Sequence, residues 1–204
     1  MTISFVIFDM DDVLYDFDRE ARRDALERLT GRPRSLFEPA IWGSGWEARA
    51  EAGDPATAEG YLAGFSQGLG HPISEADWAR IRKSVMRPRP SVLALANAVS
   101  EQADTALLTN NGMLLGKVLG HCAPEMIDIF GEQVHVSAEF GARKPDPAVY
   151  LRLCDRYGHD PAATLMVDDL PENIEGAKAA GLKGHLYQTP EGLRAALRGF
   201  GFDV

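Results

Sequence analysis

The chain has 204 residues, 45% hydrophobic and 25% charged, the balance of an ordinary globular domain. Its formal net charge of -9 argues against nucleic acid as a main partner, because a phosphate backbone needs a basic footprint. No apolar run of about 18 residues is present to span a membrane, and "MTISFVIFDM" lacks the basic flank and cleavage site of a signal peptide. Cys122 and Cys154 stand far apart without metal-like spacing and read as buried thiols, so the expected compartment is reducing and cytoplasmic.

The first element is "ISFVIFDMD", an apolar run that ends abruptly in aspartates; such runs read as strands buried on both faces of a parallel sheet. A long helical region follows. "DREARRDALERL" gathers Ala21, Ala25, Leu26 and Leu29 on one face, and its charges alternate in sign, which reads as a solvated helix surface. "AEGYLAGFSQGLG" stripes Tyr61, Leu62, Phe65 and Leu69. "SEADWARIRKSVM" opens on Ser74 as an N-cap and stripes Trp78, Ile81 and Val85, and "RPRP" after it reads as a hinge. The helix "SVLALANAVSEQ" then leads to a second apolar run, "DTALLTNNG". "QVHVSA" and "KGHLYQ" are weaker strand candidates. "DPAVYLRLCDRYG" is a helix with Val149, Leu153 and Tyr157 on one stripe and Gly158 at its end. A third strong strand, "ATLMVDDLP", runs into "PENIEGAKAAG", a helix from Pro171 to Gly181.

Strands alternating with helices predict an α/β fold, a Rossmann-like parallel sheet with right-handed crossovers. The segment between the first strand and the helix "SVLALANAVSEQ" is far longer than a crossover requires. The expected organisation is a core of residues 1–14 and 89–204, with an inserted helical domain over 15–88.

Ligands of an open parallel sheet bind beyond the carboxyl ends of its strands. The three strong strands therefore bring Asp9 and Asp11, Thr109 and Asn110, and Asp168 and Asp169 toward one crevice, and Lys144 in "FGARKPDP" is free to join them. Carboxylates this close repel one another, so either some hold protons or a cation sits among them. Sparse, hard oxygen donors suit Mg²⁺ with room for a phosphate. Residues two apart in an extended segment face the same way, so Asp9 and Asp11 can divide the chemistry. One attacks phosphorus; the other protonates the leaving oxygen and then activates water.

The ordered set "DMDDV", "LLTNN", "RKPDP" and "VDDLPEN" resembles the four motifs of the haloacid dehalogenase (HAD) superfamily, in the branch with a helical cap inserted after motif one. The resemblance spans nearly the whole chain. It implies Asp9 as nucleophile and Asp11 as general acid/base, Thr109 and Asn110 as phosphate ligands, and Lys144 as stabiliser of the pentacoordinate state. It also implies Mg²⁺ on the Asp9 side chain, the Asp11 carbonyl and the motif-four acids, with Asp169 direct and Asp168 direct or through water. Asp12 stands where a glycine is common, and reads as a solvent-facing turn residue; Leu170 stands where a serine is frequent.

The superfamily's dehalogenases generally lack the second aspartate, so Asp11 favours a Mg²⁺-dependent hydrolase of small phosphorylated metabolites over a 2-haloacid dehalogenase. The look of the cap sequence is similar to bacterial sugar-phosphate and small-ester phosphatases. A phospho-acceptor module of the receiver type is disfavoured by motif order, because receivers carry the acid pair on the first strand. Within "IWGSGWEARAE", Trp42, Trp46 and Glu47 are candidates either for the substrate pocket or for helix packing. The five histidines, without ligand spacing, read as structural or exposed.

Overall fold

The computed structural model describes residues 2–204. Strand β1 (Phe5–Phe8) leads through a tight turn into β2 (Tyr15–Phe17) and the helices α1 (Arg19–Thr30) and α2 (Arg34–Glu38). A π-helical turn, Pro39–Gly43, precedes α3 (Trp46–Glu51), α4 (Ala58–Leu69) and α5 (Glu75–Ser84), and β3 (Met86–Pro88) closes the segment. The remainder alternates: α6 (Pro90–Ser100), β4 (Asp104–Thr109), α7 (Met113–Cys122), α8 (Pro124–Phe130), β5 (Val134–Val136), α9 (Pro147–Tyr157), β6 (Thr164–Asp168), α10 (Pro171–Ala179), β7 (Lys183–Leu186) and α11 (Pro190–Gly199).

Five parallel strands form the sheet in the order β5-β4-β1-β6-β7. Every residue of β1 is fully buried because the strand is central and both faces are covered. Val6 and Phe8 join the apolar cluster on one face, and Phe5 and Ile7 pack with Val149, Leu153 and Ile174 of α9 and α10 on the other. The chain order reverses at β1, whose neighbours are β4 and β6, and the register pairs Phe8 with Leu107 and with Val167. The carboxyl ends of these three strands therefore lie side by side, at the place where such sheets bind ligands.

The helices of the insertion start where their capping residues are. Asp18 accepts from the Ala21 N–H, Thr57 from the Gly60 N–H and Ser74 from the Asp77 N–H. Their apolar faces, with Phe37, Tyr61, Phe65 and Trp78, belong to the same cluster as Val6 and Phe8 of the sheet. Contact is made where α4 and α5 pack on α7. Gly112 permits it: a Cβ there would come within 2.3 Å of the Tyr61 ring.

The start of the "RPRP" stretch lies in a short ribbon where the chain enters and leaves the insertion. Residues 86–88 pair antiparallel with β2, Tyr15 opposite Pro88 and Phe17 opposite Met86. A proline is tolerated because the ribbon has only two strands and both are edges.

Candidate active site

Asp9 follows β1 directly, and its backbone N–H donates to the Val167 carbonyl at 3.0 Å. Its Oδ1 accepts from the Met10 N–H and from Lys144 Nζ, both at 2.8 Å. Among the described residues no protein donor engages Oδ2. Burial pushes the carboxyl up to about 8; the Lys144 ammonium opposes this, while Asp168 and Asp11 add to it.

Lys144 is 1% exposed and also donates to Asp168 Oδ2 at 2.7 Å. Burial disfavours its charge, but the two carboxylates outweigh that and raise its pKa. Its backbone is clamped by Asn110, whose Oδ1 accepts from the Lys144 N–H at 2.9 Å and whose Nδ2 donates to the Lys144 carbonyl at 2.8 Å. Asn110 also lines the cleft, and each polar atom of its amide keeps capacity for one further bond.

Asp168 ends β6 and is fully buried. Besides Lys144, it accepts from the Leu170 N–H and from Asn173 Nδ2, each at 2.9 Å. Asp9, Asp168 and Asp169 each bring a carboxylate oxygen within 4.8 Å of the others. Asp169 lines the cleft, whereas Asp168 lies behind Lys144 with both oxygens taken by donors. All three carboxylates could take part in holding a cation, with Asp169 the one of the pair that faces the cleft. Burial, and then the Asp168 charge, raises the Asp169 carboxyl.

Asp11 lines the same cleft as Asp9, but its carboxylate is not free. Both oxygens accept from Arg82 Nη2, at 2.7 and 2.6 Å, and the guanidinium lies 3.9 Å from the centre of the Phe17 ring. The second aspartate is thus held by α5 of the insertion, not by the sheet. Asp12 has a left-handed φ of +63°, which explains why a glycine suits that position. Its carboxylate accepts from Arg19 at 2.5 Å and from the Phe17 N–H at 3.4 Å, so it is part of the turn. Thr109 is buried at the end of β4, and its hydroxyl accepts from Asn111 Nδ2 at 2.9 Å.

The cleft has a volume of about 350 Å³. Trp42 and Glu47 line it; Trp46 does not, packing instead on Tyr61 and Phe65 and against Gly64. Arginines absent from the sequence-based expectation also line the cleft, namely Arg19, Arg22, Arg23, Arg82 and Arg143. The α1 charges are therefore not all solvated. The signal was present in spacing: Arg22 lies four residues before the buried Leu26, and Arg82 four after the buried Trp78.

Carboxylates, a lysine and a threonine are thus gathered at the switch point of a parallel α/β sheet, the architecture of a hydrolase of the α/β class. A family model described as haloacid dehalogenase-like hydrolase matches residues 3–181. The chain belongs to that family. It is 30% identical to a Mycobacterium tuberculosis protein named phosphatase MT3486, over 98% of this chain and 96% of that one. Two solved structures share the fold. A HAD-like family hydrolase from Porphyromonas gingivalis superposes with a TM-score of 0.80 at 18% identity, covering 100% of both chains. A HAD family enzyme from Bacteroides thetaiotaomicron, solved with magnesium and inorganic phosphate, superposes with a TM-score of 0.72 at 19% identity, over 91% of this chain and 94% of that one.

Proposed function

We propose that the protein is a Mg²⁺-dependent phosphomonoesterase acting on a small phosphorylated metabolite through an aspartyl-phosphate. The observation that carries this reading is the geometry at the β1 terminus. Asp9 has one oxygen pinned by Lys144 and the Met10 N–H and the other unengaged, and Asp11 shares its cleft. A pinned carboxylate has the orientation a nucleophile needs. The likeness to a protein named phosphatase supports the reading.

In the first half-reaction Asp9 Oδ2 forms a bond to phosphorus as the ester oxygen departs, and Asp11, in its acid form for this step, gives that oxygen the proton that the second half-reaction restores. In the second, Asp11 takes a proton from water, whose oxygen displaces Asp9 and frees inorganic phosphate. Lys144, the Thr109 hydroxyl and the backbone beyond β4 offer donors to the equatorial oxygens. Arg82 orients Asp11, so the acid/base depends on the insertion being packed as it is. Residues 15–88 then act as the cap that excludes water.

The donor set fits the metal. Asp9, Asp169 and the Asp11 main chain supply only hard oxygens, and the clustered carboxylates of Asp9, Asp168 and Asp169 are set against the single ammonium of Lys144. Bound there, Mg²⁺ would screen the carboxylate from the phosphate it attacks. A dehalogenase reading leaves Asp11 without a task. The test is release of phosphate from an aryl phosphate with Mg²⁺, abolished by EDTA and restored by added Mg²⁺. Halide release from 2-chloropropionate in place of phosphate release would replace this reading with the other.

A further inference from the structure

Four of the arginines lining the cleft are paired with carboxylates. Arg19 meets Asp12 at 2.5 Å, Arg23 meets Glu20 at 2.6 Å and Glu38 at 2.5 Å, Arg82 meets Asp11, and Arg143 meets Glu51 at 2.7 Å. Arg22 is the exception among the described residues. It is only 8% exposed, it lines the cleft, and it has no carboxylate within ion-pairing distance.

Its surroundings deepen the imbalance. The guanidinium carbon lies 5.5 to 5.9 Å from the ring centres of Phe17, Trp42, Phe65 and Trp78, a wall of aromatic faces from the ribbon and three parts of the insertion. Ring faces attract a cation, yet they offer its N–H groups no carboxylate. Water is largely displaced, so a charge reaching this guanidinium would be weakly screened. Of the nearby acids, Glu51 faces Arg143 and Glu47 Oε1 accepts from the Tyr61 hydroxyl at 2.7 Å, while Glu47 Oε2 is buried without a hydrogen-bond partner; neither acid lies within ion-pairing distance of Arg22. A surface arginine is free to point into solvent, whereas this one is held toward the reaction cleft.

Resting on the phosphatase reading, we infer that Arg22 is a specificity-determining residue that binds a second anionic group on the alcohol portion of the substrate. The substrate class is then a small phosphomonoester whose leaving group itself carries a carboxylate or another phosphate. An uncharged leaving group would leave the buried guanidinium unmatched. The aromatic wall serves the site by fixing the arginine in one orientation before the ligand arrives, which lowers the entropic cost of binding.

The test uses three esters of matched length with the full-length Asp9→Asn protein and Mg²⁺: the phosphate ester of 3-hydroxypropanoate, the monophosphate of 1,3-propanediol, and the bisphosphate of that diol. Titration calorimetry gives a Kd for each. The carboxylate or the bisphosphate ester, or both, should bind on the order of 30-fold tighter than the monophosphate with its uncharged hydroxyl, as for a charge-assisted contact in a dry site. The tighter of the two identifies the anion. Adding Arg22→Met should erase the discrimination, and Arg22→Lys should retain part of it.

Equal affinities for all three esters would overturn the inference, as would discrimination that survives Arg22→Met. A uniform loss across all three in Arg22→Met, with their ratios unchanged, shows that Arg22 only packs the cap, and also overturns it. Failure of the phosphatase reading looks different: the unsubstituted enzyme releases phosphate from none of the three, whatever the binding ratios are.

Discussion

Replacing Lys144 by Met isolates the electrostatics of the site from its shape. The ammonium is 1% exposed and bridges Asp9 at 2.8 Å and Asp168 at 2.7 Å, so its removal leaves two buried acids facing a methyl group. Breaking a buried pair by deleting one partner costs about 3–5 kcal/mol. The lower end applies here, because Asp168 keeps its donors from Leu170 and Asn173, and Asp9 can accept a proton. For a chain of this size about 3 kcal/mol corresponds to a fall in Tm of roughly 10 °C. Urea denaturation without divalent ions should show the loss as a lower midpoint at unchanged slope.

The deficit carries a pH signature. In the parent, Asp9 ionises near pH 8 with the ammonium beside it; in the variant that cation is gone. The gap between parent and variant should therefore widen as pH rises past about 8. A Lys144→Met protein within about 1 kcal/mol of the parent at every pH would refute the account of a cation-dependent carboxylate cluster. Phosphatase turnover should also fall, on the order of 100-fold or more, as when one preorganised donor to a developing charge is removed.

Three more outcomes follow from single contacts. Gly176 approaches the loop carrying Lys144 so closely that a Cβ would lie 2.0 Å from the Pro145 carbonyl oxygen; Gly176→Ala should cost about 1–3 kcal/mol by thermal denaturation. Its turnover should fall by about 100-fold as Lys144 is displaced, and unchanged turnover would show that the loop yields without moving the lysine. Arg82→Met frees the Asp11 carboxylate, and kcat for an aryl phosphate should drop by roughly 100-fold, the scale of a misplaced acid/base. Burial raises Glu51 from 4.5 to about 7 against the pull of Arg143. Because the folded state holds this proton more tightly than the unfolded one, stability is lost as pH rises from about 4.5 to 7. Glu51→Gln should remove that loss, gaining at most about 3 kcal/mol at pH 7 and nothing at pH 4, read from denaturation midpoints across pH.

The fold was legible where pattern and burial coincide. The runs "ISFVIFDMD", "DTALLTNNG" and "ATLMVDDLP" each contain a strand, Phe5–Phe8, Asp104–Thr109 and Thr164–Asp168. Ser74 and Gly158 mark their helix ends because capping is local chemistry. The β2–β3 ribbon was not legible: three residues a side carry too little periodicity, and Pro88 argues against a strand. Within the site, the acids, Thr109 and Lys144 could be gathered by topology alone, since each ends a strand or sits on the adjoining loop. The arginines could be placed only in part. Spacing puts Arg22 on the face of Leu26 and Arg82 on the face of Trp78, but that Arg22 meets the cleft depends on how α1 packs against Trp42 and Trp78, which no window of α1 contains. The same holds for the bonds by which the Asn110 side chain holds the Lys144 backbone, 34 residues away.

Acid-quenched single turnover with a small phosphate ester and Mg²⁺, followed by mass spectrometry of the peptide spanning Phe5 to Asp18, addresses the nucleophile itself. The parent should carry a phosphoryl group on Asp9 at early times, and Asp9→Asn should carry none and release no phosphate. Full phosphate release by Asp9→Asn, or a phosphoryl group found on another residue, would contradict the assignment.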